Sequence, residues 1–475
     1  MASTNNQVRV LEICQVTPSS DSPYSATELS LPLTFFDTFW FKFHPVERIF
    51  FYELADSTPA FFHSVILPKL KDSLSLTLLH FLPLAGKLNW PPHVDKPFIL
   101  YAPNNALSLS VAESDADFHH LSDRTIRDAV ESHPYIPELP VSDFTADIIS
   151  FQITLFPNQG FCIGISSHHA ILDGKSVTMF IRAWAYICKQ SQKDKNPSLS
   201  SELTPFFDRT IIQDPEGLDI VFLNNWLSIF KYLSPDADPR TLKLLPSYGS
   251  PANPVRGTYE LSREDLQKLR QKVLFQLEIE VPKENPDQTN PMHLSTFVLT
   301  FAYTVVTIVK ARGLERNRKV MIGFTADCRA RLEPPLPANY FGNCVGAYTD
   351  VTEAEVLMEE NGLAFVAQSF SKLIKGLGKG PYKGAKDSLE RFLEMDPGTM
   401  EIFGVAGSPR FQVYESDFGW GRPKKVEITS IDRTNGSISM AESKDGSGGV
   451  EIGIVLKKNE MEIFDSLFLK GLKDL

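Results

Sequence analysis

Residues His168–Gly174, with the sequence HHAILDG, lie where two different residue periodicities meet. Before them, Asp147–Ile165 has the pattern of two strands joined at Pro157–Gly160, whose asparagine and glycine favour chain reversal. After them, apolar residues recur at helical spacing over Val177–Ile187. The pattern predicts a strand-to-helix junction. The second histidine and the aspartate, four residues apart, are expected on one face of a helical turn.

His169 has the chemistry of a general base, because imidazole has an unperturbed pKa near neutrality. The carboxylate of Asp173 has three possible roles. It could fix a histidine tautomer, anchor the loop or pair with a cation. The short pattern by itself also fits a surface ion pair, a core histidine bonded to backbone, or two metal ligands. Its position at the junction, without a further cysteine or histidine at zinc-like spacing, favours the base and predicts no metal.

The chain of 475 residues exceeds the usual size of one hydrophobic core, so two domains or two halves of one large fold are expected. Apolar residues make up 43% and charged residues 22%, as in an ordinary globular protein. The net charge of -11 argues against a nucleic-acid partner, because phosphates require clustered lysine and arginine. Local basic groups are still able to hold a small anionic ligand.

Several features of the sequence bear on location. Five widely spaced cysteines form neither a CxxC pair nor a zinc-finger pattern, so reduced thiols are expected. The N-terminus has no basic stretch followed by an apolar core, so no secretory signal is expected and the predicted location is cytoplasmic. Leu294–Val309 is apolar but too short and too polar to span a bilayer. A buried helix is predicted there, with no membrane partner.

Shorter signals predict other elements. Leu31–Asp37 is an apolar run broken by proline, as at an edge strand followed by a turn. A helix is expected over residues 61–79, and the polar stretch 190–205 predicts a solvated linker. A closing antiparallel meander is predicted from three strand patterns, at residues 426–431, 437–441 and 450–456.

Over nearly its whole length the sequence resembles the BAHD acyltransferases of plant specialised metabolism. The resemblance is carried by four segments in the family's order, Leu31–Asp37, Leu82–Leu88, His169–Asp173 and Asp417–Gly421. It implies an α/β (α+β) fold of two similar-sized chloramphenicol acetyltransferase-like domains with mixed sheets and an interdomain channel, entered by CoA from one face and by the acceptor from the other. The predicted domains are residues 1–190 and 226–475, joined by a linker or crossover at 191–225. The family also implies a monomer.

The resemblance assigns roles to individual residues. It makes His169 the general base and Asp173 an architectural residue that points away from the substrate and pairs with Arg329. It assigns maintenance of the fold and of the CoA channel to Asp417, Gly419, Trp420 and Gly421, although this aspartate is sometimes described as catalytic. The Asp-Phe-Gly triplet also occurs in kinases, but no His-Arg-Asp catalytic loop precedes it here.

The acyl donor is suggested by Asn339–Cys344, which is similar to the subgroup that malonylates sugar hydroxyls of flavonoid and other phenolic glucosides. This similarity implies malonyl-CoA as cosubstrate and no permanently bound cofactor. A malonyl carboxylate near the thioester requires a paired cation. Arg182 is the candidate, and it is equally well explained as a helix residue whose stem packs beside Trp184.

Contacts with CoA are expected from the second half. Lys268 and Arg270, on an amphipathic helix, are candidates for the phosphates. His293, Ser295 and Thr296 open the next helix and are candidate donors to pantetheine or phosphate, in regions that line the donor channel by the resemblance. The serine and threonine equally suit N-capping.

These features predict direct transfer in a ternary complex of an acyl-CoA and a phenolic glucoside. His169 is expected to take the proton from a sugar hydroxyl as that oxygen attacks the malonyl thioester. Two alternatives remain open, a related acyltransferase with an aromatic or acetyl donor and a nonenzymatic metabolite-binding protein. A metal hydrolase is a more distant alternative.

Overall fold

The elements of the fold come from a computed structural model that describes residues 8–20, 23–191, 194, 197–245, 252–280, 292, 294–377, 399–434 and 436–475. The strands are β1 Val8–Val16, β2 Leu29–Pro32, β3 Val46–Glu53, β4 Lys87–Asn89, β5 Phe98–Tyr101, β6 Leu107–Ser114, β7 Arg127–Asp128, β8 Thr145–Asp147, β9 Ile149–Phe156, β10 Gly160–Ser167, β11 Pro254–Leu261, β12 Lys319–Asp327, β13 Val345–Glu353, β14 Met400–Phe403, β15 Val405–Gly407, β16 Lys425–Ile428, β17 Ile438–Glu442 and β18 Val450–Lys457. The helices are α1 Phe35–Thr38, α2 Pro59–Phe61, α3 Leu67–Leu78, α4 Phe118–Ser122, α5 Gly174–Gln190, α6 Leu218–Leu233, α7 Arg263–Glu280, α8 Thr296–Arg312, α9 Ala354–Met358, α10 Gly362–Gly376 and α11 Lys458–Lys473. A π-helical turn at Phe62–Ile66 joins α2 to α3, which together form the helix predicted over residues 61–79.

The sheet that leads to the histidine segment has six strands in the order β1-β6-β9-β10-β3-β16. Its neighbouring strands β9 and β10 form the predicted hairpin, and every residue of both strands is buried. Asn158 in their turn has a φ of 58°, a left-handed conformation that asparagine tolerates better than most residues. Because packing on both faces fixes the register of β10, residue 168 emerges at a defined point.

The sheets mix parallel and antiparallel pairs. The parallel pairs are β6 with β9, β12 with β14 and β15 with β17. Besides the six-stranded sheet there are a five-stranded sheet β15-β17-β18-β11-β7, a four-stranded sheet β2-β5-β4-β8 and a three-stranded sheet β13-β12-β14. The predicted mixed α/β architecture is confirmed. β2 is an edge strand, as expected because Pro32 cannot donate a backbone hydrogen bond.

One strand of the predicted closing meander lies in a different sheet. β17 and β18 pair antiparallel as predicted. β16, however, pairs with β3 in the six-stranded sheet, and β7 from the first half pairs with β11 of the five-stranded sheet. The meander prediction is therefore wrong for residues 426–431. A strand pattern identifies which face is buried, but not which sheet edge the strand completes.

Buried charge holds β16 in its place. Glu427 accepts hydrogen bonds from Arg127 at 2.7 Å and from Ser132 at 3.0 Å, and Lys425 lies 2.8 Å from it. Burial alone raises the pKa of a carboxyl, but the neighbouring cations outweigh burial and hold the pKa of Glu427 well below its usual value. This network joins residue 127 of the first half to residue 427 of the second.

The segment between the two halves contains both exposed and buried residues. Ser200 and Ser201 are exposed, as predicted for the linker. Arg209 is only 5% exposed, and its Nη1 donates to the buried carboxylate of Asp37. Helix α6 crosses residue 225, where the second domain was expected to begin. The domain boundaries stay a prediction.

Two large apolar cores support the two halves. The first contains Phe180 and Trp184 of α5, and the second contains Phe301 of α8. Helix α8 is buried along nearly all its length, as predicted from its apolar sequence. No helix in the described ranges is long and apolar enough to cross a lipid bilayer.

Candidate active site

The histidine segment lies between the end of β10 at Ser167 and the start of α5 at Gly174, so the predicted strand-to-helix junction is confirmed. Asp173 has extended backbone and caps α5, because its Oδ1 accepts a hydrogen bond from the Ser176 backbone N–H at 2.8 Å. Residues 169–171 form a turn rather than a helix. The predicted shared helical face of His169 and Asp173 is therefore wrong, since the cap keeps residue 173 outside the helix.

His169 lies at the wall of a cavity of about 1890 Å³ and is half-buried. Its ring stacks on the indole of Trp40, with the ring centroids 4.4 Å apart and the planes 9° apart. Burial lowers the pKa of His169 from 6.5 to about 4, against smaller opposing effects of its own backbone and of the Asp173 charge. The imidazole is therefore neutral at pH 7, which is the form that accepts a proton.

The preceding histidine has a different environment. His168 is 1% exposed and is not among the described residues that line the cavity. Its Nδ1 accepts a hydrogen bond from the Ala170 backbone N–H at 3.2 Å, which assigns the neutral ring's proton to Nε2. Burial, with smaller effects of His169 and Lys42, lowers the pKa of His168 to about 3. Only the second histidine of the pair is positioned to meet a substrate.

Asp173 and Arg329 form the predicted ion pair, with Nη2 of the arginine 2.8 Å from Oδ2 of the aspartate. The same carboxylate oxygen accepts the Cys344 backbone N–H at 3.1 Å, and Arg329 Nη1 donates to Asp327 at 3.0 Å. Burial opposes charge on Arg329, but the two carboxylates outweigh it and raise the pKa above its usual value. Asp173 is thus engaged by a helix, a backbone amide and a cation, which agrees with an architectural role. That role stays a prediction.

Asn343 is a further residue at the site to which the sequence had assigned no role. Its Nδ2 donates to the His169 backbone carbonyl at 2.9 Å and to Asp37 Oδ1 at 3.2 Å. Asp37 in turn holds Arg209 and accepts the Thr34 backbone N–H at 2.8 Å. Three segments distant in sequence therefore meet behind the histidine. The motif matches at Leu31–Asp37 and Asn339–Cys344 were the available signals, but neither match predicts that the two segments touch.

The cavity is bounded by both halves of the chain. The first half contributes Trp40, Phe43 and Thr178 beside the histidine, while the second contributes residues such as Phe324 and Phe403. A cavity of this volume accommodates substrates larger than a typical drug-sized ligand. Its position agrees with the predicted interdomain channel, and it gives the His169 ring access to a ligand.

The residues predicted to bind CoA lie in different places. Arg270, Ser295 and Thr296 line the cavity. Ser295 also caps α8, since its hydroxyl accepts the Val298 backbone N–H at 3.3 Å. Lys268 is absent from the described cavity lining and instead pairs with Glu264, one turn earlier on α7, at 3.1 Å. His293 lies outside the described residues.

Arg182, predicted to meet the malonyl carboxylate, lines the cavity from α5. Its guanidinium lies 3.6 Å from Glu202, whose side chain is 71% exposed. A pair of this kind is weak because solvent screens it. The guanidinium is therefore available to an anionic ligand that enters the cavity.

The Asp417–Gly421 segment forms a tight turn outside the cavity lining. Asp417 Oδ1 accepts the backbone N–H groups of Gly419 at 2.8 Å and Gly421 at 3.0 Å. Both glycines have φ above 100°, which side chains rarely allow. Asp417 also binds Lys189 at 2.6 Å, and Trp420 packs edge-on against Phe161. These contacts agree with the predicted structural role, which itself stays a prediction.

Comparison with known proteins assigns the fold. Among solved structures, vinorine synthase superimposes with a TM-score of 0.67 at 20% sequence identity, covering 98% of each chain. This likeness confirms the predicted chloramphenicol acetyltransferase-like fold. At this level of identity the likeness concerns the fold alone.

Comparison of sequences assigns the family. The model of the Transferase family matches residues 7–469. The chain is 45% identical to phenolic glucoside malonyltransferase 1 of Arabidopsis thaliana over 473 residues, 99% of this chain and 98% of that protein. It is 44% identical to malonyl-CoA:anthocyanidin 5-O-glucoside-6''-O-malonyltransferase of the same species over 482 residues, 100% of both. The chain therefore belongs to the Transferase family of BAHD acyltransferases.

Proposed function

We propose that this acyltransferase moves a malonyl group from malonyl-CoA to a sugar hydroxyl of a phenolic or flavonoid glucoside. Two relatives, 44% and 45% identical over essentially the whole chain, are named as malonyltransferases of anthocyanidin and phenolic glucosides. The observation that carries the proposal is the neutral imidazole of His169 at the wall of a cavity bounded by both halves. Transfer to an alcohol requires a base in such a position.

The proposed reaction proceeds in one complex with both substrates. His169 takes the proton from the sugar hydroxyl while that oxygen bonds to the thioester carbon, and the carbonyl π electrons move onto the carbonyl oxygen. Collapse of the tetrahedral species restores the carbonyl and breaks the carbon–sulfur bond. The CoA thiolate then takes the proton from His169, so the products are a malonyl ester and free CoA.

Four residues of the cavity wall are proposed to bind the donor. Arg270, Ser295 and Thr296 are the cavity residues assigned to CoA, and Arg182 is assigned to the malonyl carboxylate. The support for Arg182 is its place in the cavity wall and its weak pairing with an exposed glutamate. A buried carboxylate without a cation is unfavourable, so this contact selects malonyl over acetyl.

His169→Ala tests the base. Its rate of CoA release from malonyl-CoA and a phenolic glucoside is expected to fall roughly 10²- to 10⁴-fold without loss of folding. His120→Ala is a matched control, because His120 is exposed and pairs with Glu131 at 2.8 Å. A near-normal rate in His169→Ala contradicts the proposal. Thiol release that depends on the glucoside also separates a transferase from a metabolite-binding protein.

Arg182→Ala tests the donor assignment. The ratio of kcat/KM for malonyl-CoA to that for acetyl-CoA is expected to fall, because only the malonyl group carries a free carboxylate. Arg316→Ala serves as control, since Arg316 is exposed and pairs with Glu355 and Glu359. An unchanged ratio in Arg182→Ala rejects this residue. Mass spectrometry of products from several donors and glucosides identifies the acceptor class.

The proposal also retains the predicted setting of the protein. It includes a cytoplasmic monomer with small-molecule substrates and with neither nucleic acid nor membrane as partner, and the domain boundaries at 190 and 225. The net charge of -11 supports the lack of a nucleic-acid partner. A solution mass near the 53.3 kDa of one chain is expected for the monomer.

A further inference from the structure

The ring that stacks on His169 is a tryptophan in a segment otherwise rich in phenylalanine. The segment Phe35–Phe43 has phenylalanine at five of its nine positions and tryptophan only at position 40. Trp40 lies parallel to the imidazole, 4.4 Å away, and Phe43 approaches the same ring at 5.8 Å with a tilt of 57°. Two aromatic side chains therefore bound the His169 ring, and the closer one is the indole.

A tryptophan at this position carries an unfavourable feature. Trp40 is 7% exposed, and its buried Nε1 has no hydrogen-bond partner among the residues that the structure describes. The other three buried tryptophans, Trp90, Trp184 and Trp226, each donate to a backbone carbonyl. A phenylalanine at position 40 would avoid the unpaired donor. What tryptophan adds is a wider and more electron-rich face against the imidazole.

The imidazole needs such a face when it accepts a proton. Burial disfavours the charged ring, as the lowered pKa of His169 indicates, and smaller effects of its own backbone and of the Asp173 charge oppose burial. The neighbouring titratable group is His168. His168 is neutral, and the Asp173 carboxylate is partly compensated by Arg329 at 2.8 Å. An aromatic face attracts a cation through its quadrupole, and tryptophan does so best.

We infer that Trp40 is a positioning residue for acyl transfer, whose indole face holds the His169 ring and stabilises the imidazolium formed as the acceptor hydroxyl loses its proton. This inference rests on the proposed role of His169 as general base. The proton passes from the hydroxyl to a ring nitrogen of His169 as the new carbon–oxygen bond forms. It leaves with the CoA thiolate when the carbon–sulfur bond breaks. Trp40 gains and loses no atom.

Fluorinated tryptophans incorporated only at position 40 test the electrostatic part of the inference. Each added fluorine withdraws electron density from the indole face while the shape of the ring changes little. The value of kcat is expected to fall stepwise, by roughly 2- to 30-fold over the series, with the KM for malonyl-CoA unchanged. The acid limb of kcat/KM is expected to move to lower pH. A flat series overturns the inference.

Two substitutions at position 40 distinguish an effect of the aromatic face from an effect of side-chain packing. Trp40→Phe keeps a smaller aromatic face and removes the unpaired N–H, so we expect an intermediate kcat with no loss of thermal stability. Trp40→Leu removes the aromatic face, and the lowest kcat is expected there. Trp90→Phe is the matched control, because Trp90 is outside the described cavity lining and its Nε1 donates to Val94 at 3.2 Å. Its kcat is expected to match the wild type.

The outcomes distinguish the role of His169 as the base from the role of Trp40 beside it. If His169→Ala retains a near-normal rate, the proposed function fails and the role of Trp40 fails with it. If His169→Ala is inactive while Trp40→Leu keeps the wild-type kcat, only the role of Trp40 is overturned. Equal losses in Trp40→Phe and Trp40→Leu, together with a flat fluorine series, also overturn it. A graded fall at constant KM supports it.

Discussion

Asp173→Asn removes one buried charge while keeping nearly the same side-chain shape. Asparagine retains an acceptor for the Ser176 backbone N–H, at 2.8 Å from Asp173 in the wild type, and is itself a good N-cap. The cap of α5 is therefore expected to survive. The change removes the negative charge that lies 2.8 Å from Nη2 of Arg329.

The expected loss of stability depends on which ion pair Arg329 retains in the variant. Removing one partner of a buried ion pair costs about 3–5 kcal/mol, because the other charge is left without compensation. Arg329 retains Asp327 at 3.0 Å, but that side chain is 40% exposed and solvent screens its charge. We therefore expect the free energy of unfolding to fall by about 3 kcal/mol, the lower end of the range. Asp173→Ala also removes the cap, and about 1 kcal/mol more should be lost.

Urea unfolding followed by circular dichroism and tryptophan fluorescence measures this difference. Asp327→Asn is the matched control, since it removes the other carboxylate of the same arginine, and its loss is expected below about 1 kcal/mol. If Asp173→Asn is no less stable than Asp327→Asn, the reasoning is refuted. The buried pair would then contribute nothing that an exposed pair does not.

The pH dependence, the backbone contact of the base and the glycine turn give three more tests. Because burial lowers the pKa of His169 to about 4, the acid limb of kcat/KM is expected near pH 4, and a limb near 6.5 would contradict the buried ring. The contribution of His169 to the free energy of unfolding should fall as the pH drops from 6.5 towards 4, because in this range the unfolded chain binds a proton that the folded chain does not. Asn343→Ala removes the donor at 2.9 Å from the His169 carbonyl and should lower kcat roughly 2- to 10-fold at constant KM. Asn89→Ala is the control, because it loses a 2.9 Å hydrogen bond from an amide to a backbone carbonyl outside the described cavity lining. An equal loss of kcat in both variants would refute a specific effect of Asn343. Asp417→Ala should lower the thermal midpoint by removing two acceptor contacts while kcat changes less than about threefold, and the reverse pattern would make this aspartate catalytic.

Sequence alone determined the local structure around the site. The helical spacing of apolar residues predicted α5, the apolar run predicted α8, and the strand patterns with their turn at residues 157–160 predicted β9 and β10. The motif matches also predicted the contact between Asp173 and Arg329, through the family resemblance rather than through spacing.

Tertiary structure decided which distant segments meet. Asn343 and the carbonyl of His169 are 174 positions apart, and no local pattern in either segment indicates their hydrogen bond. Trp40, in the first core, is likewise distant from His169 in sequence and contacts it only through tertiary packing. The sheet edge taken by β16 depends on buried charges contributed by the other half of the chain.

The two candidate phosphate ligands on α7 illustrate the physical reason. Lys268 and Arg270 have similar chemistry and lie two positions apart, so on a helix they point about 200° from each other. Residue type marked both as cations that could meet a phosphate. Only the packing of α7 determined that Arg270 lines the cavity while Lys268 pairs with Glu264. Periodicity is a property of neighbouring residues, whereas the face that meets a ligand is set by contacts between segments far apart in the chain.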